Sequence, residues 1–343
     1  MKKKNNLSIA ELARFSGVSP STVSRVINNR PGVSEEIYNK VLNTIHKYGI
    51  HLAEIRSGKI AVKKAIAVII PDGKNPFFHL ILSGVEEICR KHGYQLFYSS
   101  SRNNTEEEKR NLQKLLEINI PGIILIPHSN ETEGIKKLID SGVKIVLADR
   151  TIEGIDLPYV ITNNENGAYQ ATLYLLDLGH RSFLYVGGDK NLSTEKSRFR
   201  GFTRALEEEG VEIEPEMIIE DSFDSERAYD CVREIINRRK KFTAVFCADD
   251  LIAFGAKNAI VDAGISIPDE VSIIGYDDIP FAGYMSLTTV YQPAEEIGRN
   301  AMLLLLDALH GRLTEPQKIV LEPSLKIRAT CARYGIGSDS YRW

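Results

Sequence analysis

A small three-helix module followed by a two-lobed α/β body, each lobe a doubly wound, mainly parallel sheet, is the fold class that the 343-residue sequence predicts. Three observations carry this reading. The first fifty residues hold three capped helical patterns in quick succession. From Ala65 onward, short β-branched runs alternate with helical patterns, the mark of parallel sheets with crossover helices. The formal charge is also divided. Residues 1–64 carry twelve lysines and arginines against four acids, a surplus of eight, so with a total of −3 the remainder carries −11. A basic module on an acidic body suggests that only the first segment faces a polyanion.

Composition excludes several classes. With 43% hydrophobic and 26% charged residues the chain is neither disordered nor collagenous. Apolar runs such as Met302 to Leu306 fall far short of the roughly 18 residues that a membrane span needs. The start Met1-Lys2-Lys3-Lys4 leads into a stretch broken by Ser8, Glu11 and Arg14, unlike a signal peptide, so a cytoplasmic protein with no membrane partner is expected. Cys89, Cys231, Cys247 and Cys331 lack metal or redox spacing and are expected to be reduced.

Ser8-Ile9-Ala10-Glu11 has the form of a capping box, and Ile9, Leu12 and Ala13 share one helical face. Gly17 is placed to stop that helix in the left-handed conformation. Ser19 can cap a second helix with Pro20 at its first position, where the missing amide hydrogen costs nothing. Val23, Val26 and Ile27 form its buried stripe. The exposed remainder, Pro20, Ser21, Thr22, Ser24, Arg25, Asn28 and Asn29, suits a DNA major groove: hydroxyls reach phosphates and Arg25 can span a guanine edge. A third helix runs from the cap Ser34 through Ile37, Val41 and Ile45 to Gly49, completing a helix-turn-helix module.

The run Gly17-Val18-Ser19-Pro20-Ser21-Thr22-Val23-Ser24-Arg25-Val26-Ile27-Asn28, followed by Pro31-Gly32-Val33-Ser34, closely resembles the headpiece of the LacI family of bacterial transcription regulators. The expected DNA-contacting set is Ser8, Ser19, Pro20, Ser21, Thr22, Ser24, Arg25, Asn28 and, in the linker, Arg56. The resemblance extends to the body, since the family joins its headpiece to a core like that of periplasmic sugar-binding proteins. It implies a headpiece at 1–49, a linker at 50–64 and a core at 65–343. The expected N-lobe comprises 65–160 and 291–322, and the C-lobe 161–290 and 323–343.

In the body, strands are expected at Ala65–Pro71, Gln95–Ser99, Gly122–Ile126, Val143–Ala148, Tyr159–Thr162, Phe183–Gly187, Ala244–Cys247 and Val271–Tyr276. A ligand belongs at their carboxyl ends. Asn75, Phe77 and Phe78 follow the first, Asp149 and Arg150 the fourth, Asp249 the run ending at Cys247, and Asp277 the last. Arg198 sits just before Gly201-Phe202, Phe223 follows Asp221-Ser222, and Gln292 precedes Pro293. These positions match those lining the sugar site of the fold that the chain resembles, and most look similar to the set of ribose-type binders. Asp249 departs, because asparagine is frequent there. Asp249 is also placed to cap the helix starting at Asp250, and Phe77 and Phe78 could staple their own helix. The chemistry is consistent: aromatic faces cover a sugar's apolar face, carboxylates accept from hydroxyls, and guanidinium groups donate in planar pairs. Asp149, Asp249 and Asp277 against two arginines would repel a phosphate, so a neutral monosaccharide is preferred over a phosphorylated sugar, with a purine as alternative.

An enzyme is disfavoured. The GxGxxG, GxxxxGK[ST], GxSxG and HExxH signatures are absent, and a sugar-processing enzyme would leave the helix-turn-helix unexplained. The expectation is a homodimeric regulator without cofactor or metal that binds a near-palindromic double-stranded operator under sugar control. Repression is the family's commoner mode, and activation is the alternative. The linker departs from the family. Ile50-His51-Leu52-Ala53-Glu54-Ile55-Arg56-Ser57-Gly58 lacks the usual Pro-Asn pair and has Gly58 where a minor-groove-wedging leucine would fall, so only slight operator bending is expected.

Overall fold

The computed structural model describes residues 9–27, 30–47, 64–118, 120–220, 222 and 224–335. Ser8, Asn28, Arg56, Phe223 and the linker lie outside the described residues, so the capping box, those site expectations and the hinge are not addressed by the structure. The chain forms two compact units, one over residues 1–63 and one over 64–343.

The first unit holds α1 (Ile9–Ser16), α2 (Pro20–Ile27) and α3 (Glu35–Lys47). Gly17 takes φ +64°, as its position after α1 requires. Ser19 caps α2 by accepting the Thr22 amide at 3.1 Å, and Ser34 caps α3 through the Ile37 amide at 3.5 Å. Leu12, Ala13, Val23, Val26, Ile27, Val41 and Ile45 form the shared core. Caps at the starts of α2 and α3 support this small core of seven side chains.

The second unit carries two six-stranded sheets. Its strands are β1 (Ala65–Ile70), β2 (Gln95–Ser100), β3 (Gly122–Leu125), β4 (Lys144–Ala148), β5 (Tyr159–Thr162), β6 (Phe183–Val186), β7 (Ile218–Ile219), β8 (Ala244–Cys247), β9 (Ser272–Asp277), β10 (Thr288–Tyr291), β11 (Lys318–Leu321) and β12 (Ser324–Lys326). Its helices are α4 (Pro76–His92), α5 (Thr105–Glu117), α6 (Glu133–Asp140), α7 (Asn164–Asp177), α8 (Ser193–Glu208), α9 (Ser225–Asn237), α10 (Asp250–Asp262), α11 (Pro280–Tyr284) and α12 (Ala294–Leu309). The sheet orders are β11-β5-β4-β3-β1-β2 and β12-β10-β9-β8-β6-β7, and every pairing is parallel except β10 with β12. This is the two-lobed, doubly wound body that the alternating pattern predicts. The central strands β1, β3, β6, β8 and β9 are buried along their whole length, as helices on both faces demand.

The chain passes between sheets three times, after β5, after β10 and after β11. Glu322 braces two of these passages by accepting from Asn163 Nδ2 at 3.0 Å and Asn166 Nδ2 at 3.2 Å. Helices pack closely where glycines allow it. A Cβ on Gly84 of α4 would overlap the Glu295 carbonyl, and one on Gly298 of α12 would overlap that of Ile81. Among the described residues, no helix is long and apolar enough to cross a membrane.

Candidate functional site

On α2 the buried stripe leaves Pro20, Ser21 and Arg25 exposed, with Thr22 and Ser24 half-buried beside them. Ser19 Oγ lies 2.7 Å from Ser21 Oγ and 2.8 Å from Thr22 Oγ1, so three hydroxyls cluster where the first amides of the helix point outward. Such a helix start favours an anion, and a phosphate is the anion that hydroxyls and amides hold together. Arg25 projects one turn further along.

In the second unit, the carboxyl ends of strands from both sheets converge. Asp149 directly follows β4 with φ +63°, and Asp277 ends β9 with φ +112°. Left-handed backbone at non-glycine residues costs about 1–3 kcal/mol and persists where the surroundings impose it, which is why it marks functional positions. Asp149 is 3% exposed, and its Oδ2 lies 3.4 Å from Arg150 Nε. Arg150 Nη1 donates to the Pro127 carbonyl at 3.2 Å, and its guanidinium lies 5.5 Å from the centre of the Phe78 ring. On the other wall, Arg198 is held on every side. Its Nε donates to Asn164 Oδ1 at 2.8 Å, Nη1 donates to the Ala248 carbonyl, and Nη2 reaches Asp277 Oδ1 at 3.4 Å. Its guanidinium stacks 3.9 Å from the Tyr276 ring centre. Gln292 Nε2 donates to the same Asp277 oxygen at 2.6 Å.

The other expected residues that the structure describes have these places. Asn75 caps α4, its Oδ1 accepting the Phe77 amide at 2.9 Å. Phe77 and Phe78 pack edge to face inside the N-lobe core, so the staple reading fits them at least as well as a stacking face. Asp249 caps α10 by accepting the Ile252 amide at 2.7 Å while facing the cluster. Asp278 is turned away and paired with Arg328 at 2.7 Å, which leaves Asp277 as the carboxylate in the cleft.

The sequence reading missed Glu195, Asn164 and Tyr276. Glu195 is 9% exposed and accepts the Gly188 amide at 3.1 Å. Its signal was present: Glu195 and Arg198 stand three apart on α8 and therefore share a face. Burial pushes the carboxyls of Asp149, Glu195, Asp249 and Asp277 up, and the positive charge of Arg198 opposes this at each. Asp149 Oδ1, Arg150 Nε and Gln292 Oε1 are buried without a hydrogen-bond partner among the described residues. Buried polar groups are rarely left so.

Asp250 supports this wall from behind. Fully buried, it accepts from Thr289 Oγ1 at 2.6 Å and from the Ile279 amide at 2.8 Å, pinning the turn that carries Asp277. Burial pushes its carboxyl up to about 8 despite those two bonds. The folded chain therefore holds this proton more tightly than the unfolded chain, whose aspartates titrate near 3.9. Its contribution to stability is present at low pH and is lost as pH rises from about 4 to about 8. In Asp250→Asn, the fall in Tm between pH 5 and pH 8.5 should shrink by at least about 2 °C, the equivalent of roughly 1 kcal/mol. An unchanged slope in thermal scans would show that Asp250 does not carry that proton.

The family and the fold are found again in known proteins. Residues 8–51 match the model of bacterial regulatory proteins of the lacI family, and residues 172–331 match a periplasmic binding protein-like domain. The chain is 32% identical over 324 residues to the HTH-type transcriptional repressor PurR of Pasteurella multocida, covering 93% of this chain and 97% of that one. It is 33% identical over 321 residues to the ribose operon repressor of Haemophilus influenzae, covering 93% and 96%. A LacI family transcriptional regulator from Enterococcus faecium with bound ribose superposes with a TM-score of 0.72 at 28% identity, over 79% of this chain and 99% of that one. A helix-turn-helix unit, a two-sheet cleft and relatives matched over nearly their whole length lead to one conclusion: this chain belongs to the LacI family of DNA-binding transcription regulators.

Proposed function

We propose that the chain is a cytoplasmic homodimeric repressor of a near-palindromic operator, and that a neutral sugar ring bound between the lobes controls its grip. The observation that carries this reading is the convergence of Asp149, Arg150, Asp277 and Gln292 from two sheets around Arg198, with unpaired polar atoms on both walls. Four acids face two arginines there, and both arginines are already engaged by Asp149 and Asp277, so the site offers an anionic effector little attraction. The ribose named for the Enterococcus faecium regulator supports a sugar. That the named relatives are transcription regulators supports binding rather than catalysis in the cleft.

The test is thermal unfolding against a panel of neutral monosaccharides and purine bases. A ligand at about 100 times its Kd adds about 2.7 kcal/mol. A shift with a purine alone would replace the sugar reading, and a sugar that tightens operator binding would reverse the sign of control.

For the headpiece, Arg25 reads a base while Thr22 and Ser24 hold phosphates. Arg25→Ala should cost about 1–3 kcal/mol on the operator and flatten discrimination at one base pair per half-site. Equal loss on all DNA sequences would make Arg25 a phosphate contact. Affinity of the unaltered protein should fall steeply with salt as counterions are released.

A further inference from the structure

The C-lobe holds a cavity of its own, of about 350 Å³, between α8 and the ends of β6 and β7. Its walls come from that lobe alone: Tyr185 on β6, Glu220 after β7, and Glu195, Phe199 and Thr203 on α8. Asp149, Arg150, Arg198, Asp277 and Gln292 take no part in lining it. Glu195 stands in the partition, three residues before Arg198 on the same helix. Small-molecule pockets span roughly 300–1,000 Å³, so this one suits a ligand of one or two rings.

An aromatic cluster forms the floor. The Tyr185 ring centre lies 5.0 Å from those of Phe199 and Phe202 and 5.6 Å from that of Phe246. Phe202 and Phe246 are fully buried, whereas Phe199 is only half-buried and lines the cavity. Rings favour offset or edge-to-face neighbours, so a further flat ring would extend the cluster. Tyr185 also lines the cavity, and its Oη is buried without a hydrogen-bond partner among the described residues. Buried hydroxyls are rarely left so, and a bound molecule can supply the missing partner.

The charges around the cavity are matched within the protein. Lys190 pairs with Glu220 at 2.7 Å, Lys196 with Glu153 at 2.8 Å and Arg200 with Glu165 at 3.3 Å. Glu195 accepts the Gly188 amide, and burial pushes its carboxyl up, away from the charged form. An ionic ligand would have to break into these pairs. A sugar would bring more hydroxyls than Tyr185 Oη can pair, and burying the others unpaired is costly.

We propose that this cavity is a second small-molecule site, separate from the cleft, for an uncharged flat aromatic of one or two rings whose polar atom bonds to Tyr185 Oη. Lys196 on its rim reaches Glu153 in the N-lobe, so a ligand there sits beside a contact between the lobes.

The test is ligand-observed NMR titration of the full-length protein with phenol, with toluene as its counterpart lacking the hydroxyl, and with benzoate and benzylamine as charged counterparts. Phenol should bind with a Kd of about 1 mM or below, an affinity within reach of so few atoms. Benzoate and benzylamine should bind at least about tenfold more weakly, since each buries a charge without a partner. Tyr185→Phe removes only an oxygen that lacks a protein partner, so Tm should hold while the preference for phenol over toluene falls about fivefold or more. Thr203→Trp, at a half-buried position one turn beyond Phe199, fills the cavity and should abolish binding of both. No binding of phenol or toluene overturns the site, and affinities unmoved by both variants place the probe elsewhere and overturn it too. A preference unmoved in Tyr185→Phe alone overturns the Tyr185 bond. Tighter binding of either charged probe overturns the uncharged class.

Discussion

Arg198→Ala should reduce effector affinity by about 100-fold or more and lower stability by about 3–5 kcal/mol. Arg198 lies 5% exposed among Asp277, Asn164, the Ala248 carbonyl and the Tyr276 ring. Removing it leaves Asp277 as a buried carboxylate held by Gln292 alone, and breaking a buried pair by deleting one partner costs in that range. Part of the cost is recovered by protonation, because burial already pushes the Asp277 carboxyl well up and the arginine is what opposes it. The loss should therefore be larger at pH 8 than at pH 5. Arg198→Lys should recover only a fraction of it, since an ammonium cannot serve three acceptors in one plane. Thermal unfolding at the two pH values and calorimetry with the effector check both parts. Affinity within threefold of the unaltered protein would remove Arg198 from the site.

Gly201→Ala should be among the most damaging single methyls in the body, with a direct consequence for the site. Gly201 lies one turn beyond Arg198 on α8, where the helix crosses α7. A Cβ there would overlap the Glu165 carbonyl oxygen and stand 2.9 Å from the Tyr169 amide nitrogen. The obstacle is backbone, which cannot swing aside as a side chain can, so the two helices must part. Overpacking of a core usually costs about 1–3 kcal/mol, and a clash with backbone belongs at or above the top of that range. Parting α7 from α8 also draws Asn164 off the Arg198 Nε, so effector affinity should fall along with Tm. Gly210→Ala, where a Cβ would meet nothing within 4 Å, is the control for backbone effects, with a φ of +66° that strains alanine without a clash. Equal Tm losses in the two variants would show that helix approach at Gly201 is not the cause.

How far the sequence alone reached depended on whether the signals were local. The caps at Ser19 and Ser34, the left-handed Gly17 and the stripe of Val23, Val26 and Ile27 depend on neighbours within a few residues, so the helix-turn-helix was legible. The strands buried on both faces were legible for the same reason: AIAVII at Ala65–Ile70 and AVFC at Ala244–Cys247 are apolar throughout. The strands β7, β10, β11 and β12 were not. β7 has two residues, β11 and β12 are half-exposed edge strands, and β10 holds two threonines that are buried only because β9 and β12 flank it.

The candidate site divides along the same line. Asp149, Arg150, Asp249 and Asp277 stand directly after apolar strands, and the carboxyl edge of a parallel sheet is where ligands bind, so position in the chain sufficed to name them. Glu195 and Asn164 stand near the starts of helices, and Tyr276 lies inside a strand. Apart from the spacing of Glu195 to Arg198 on α8, nothing local distinguishes them from capping or core residues. They join the cluster because Gly201 lets α8 settle against α7 and because the passages after β5, β10 and β11 bring two sheets edge to edge. Which residues end strands was written in the local pattern of hydrophobicity. Which of those ends face each other was decided by helix packing and chain crossing, since contact between residues more than a hundred positions apart depends on the approach of whole elements and leaves no local trace.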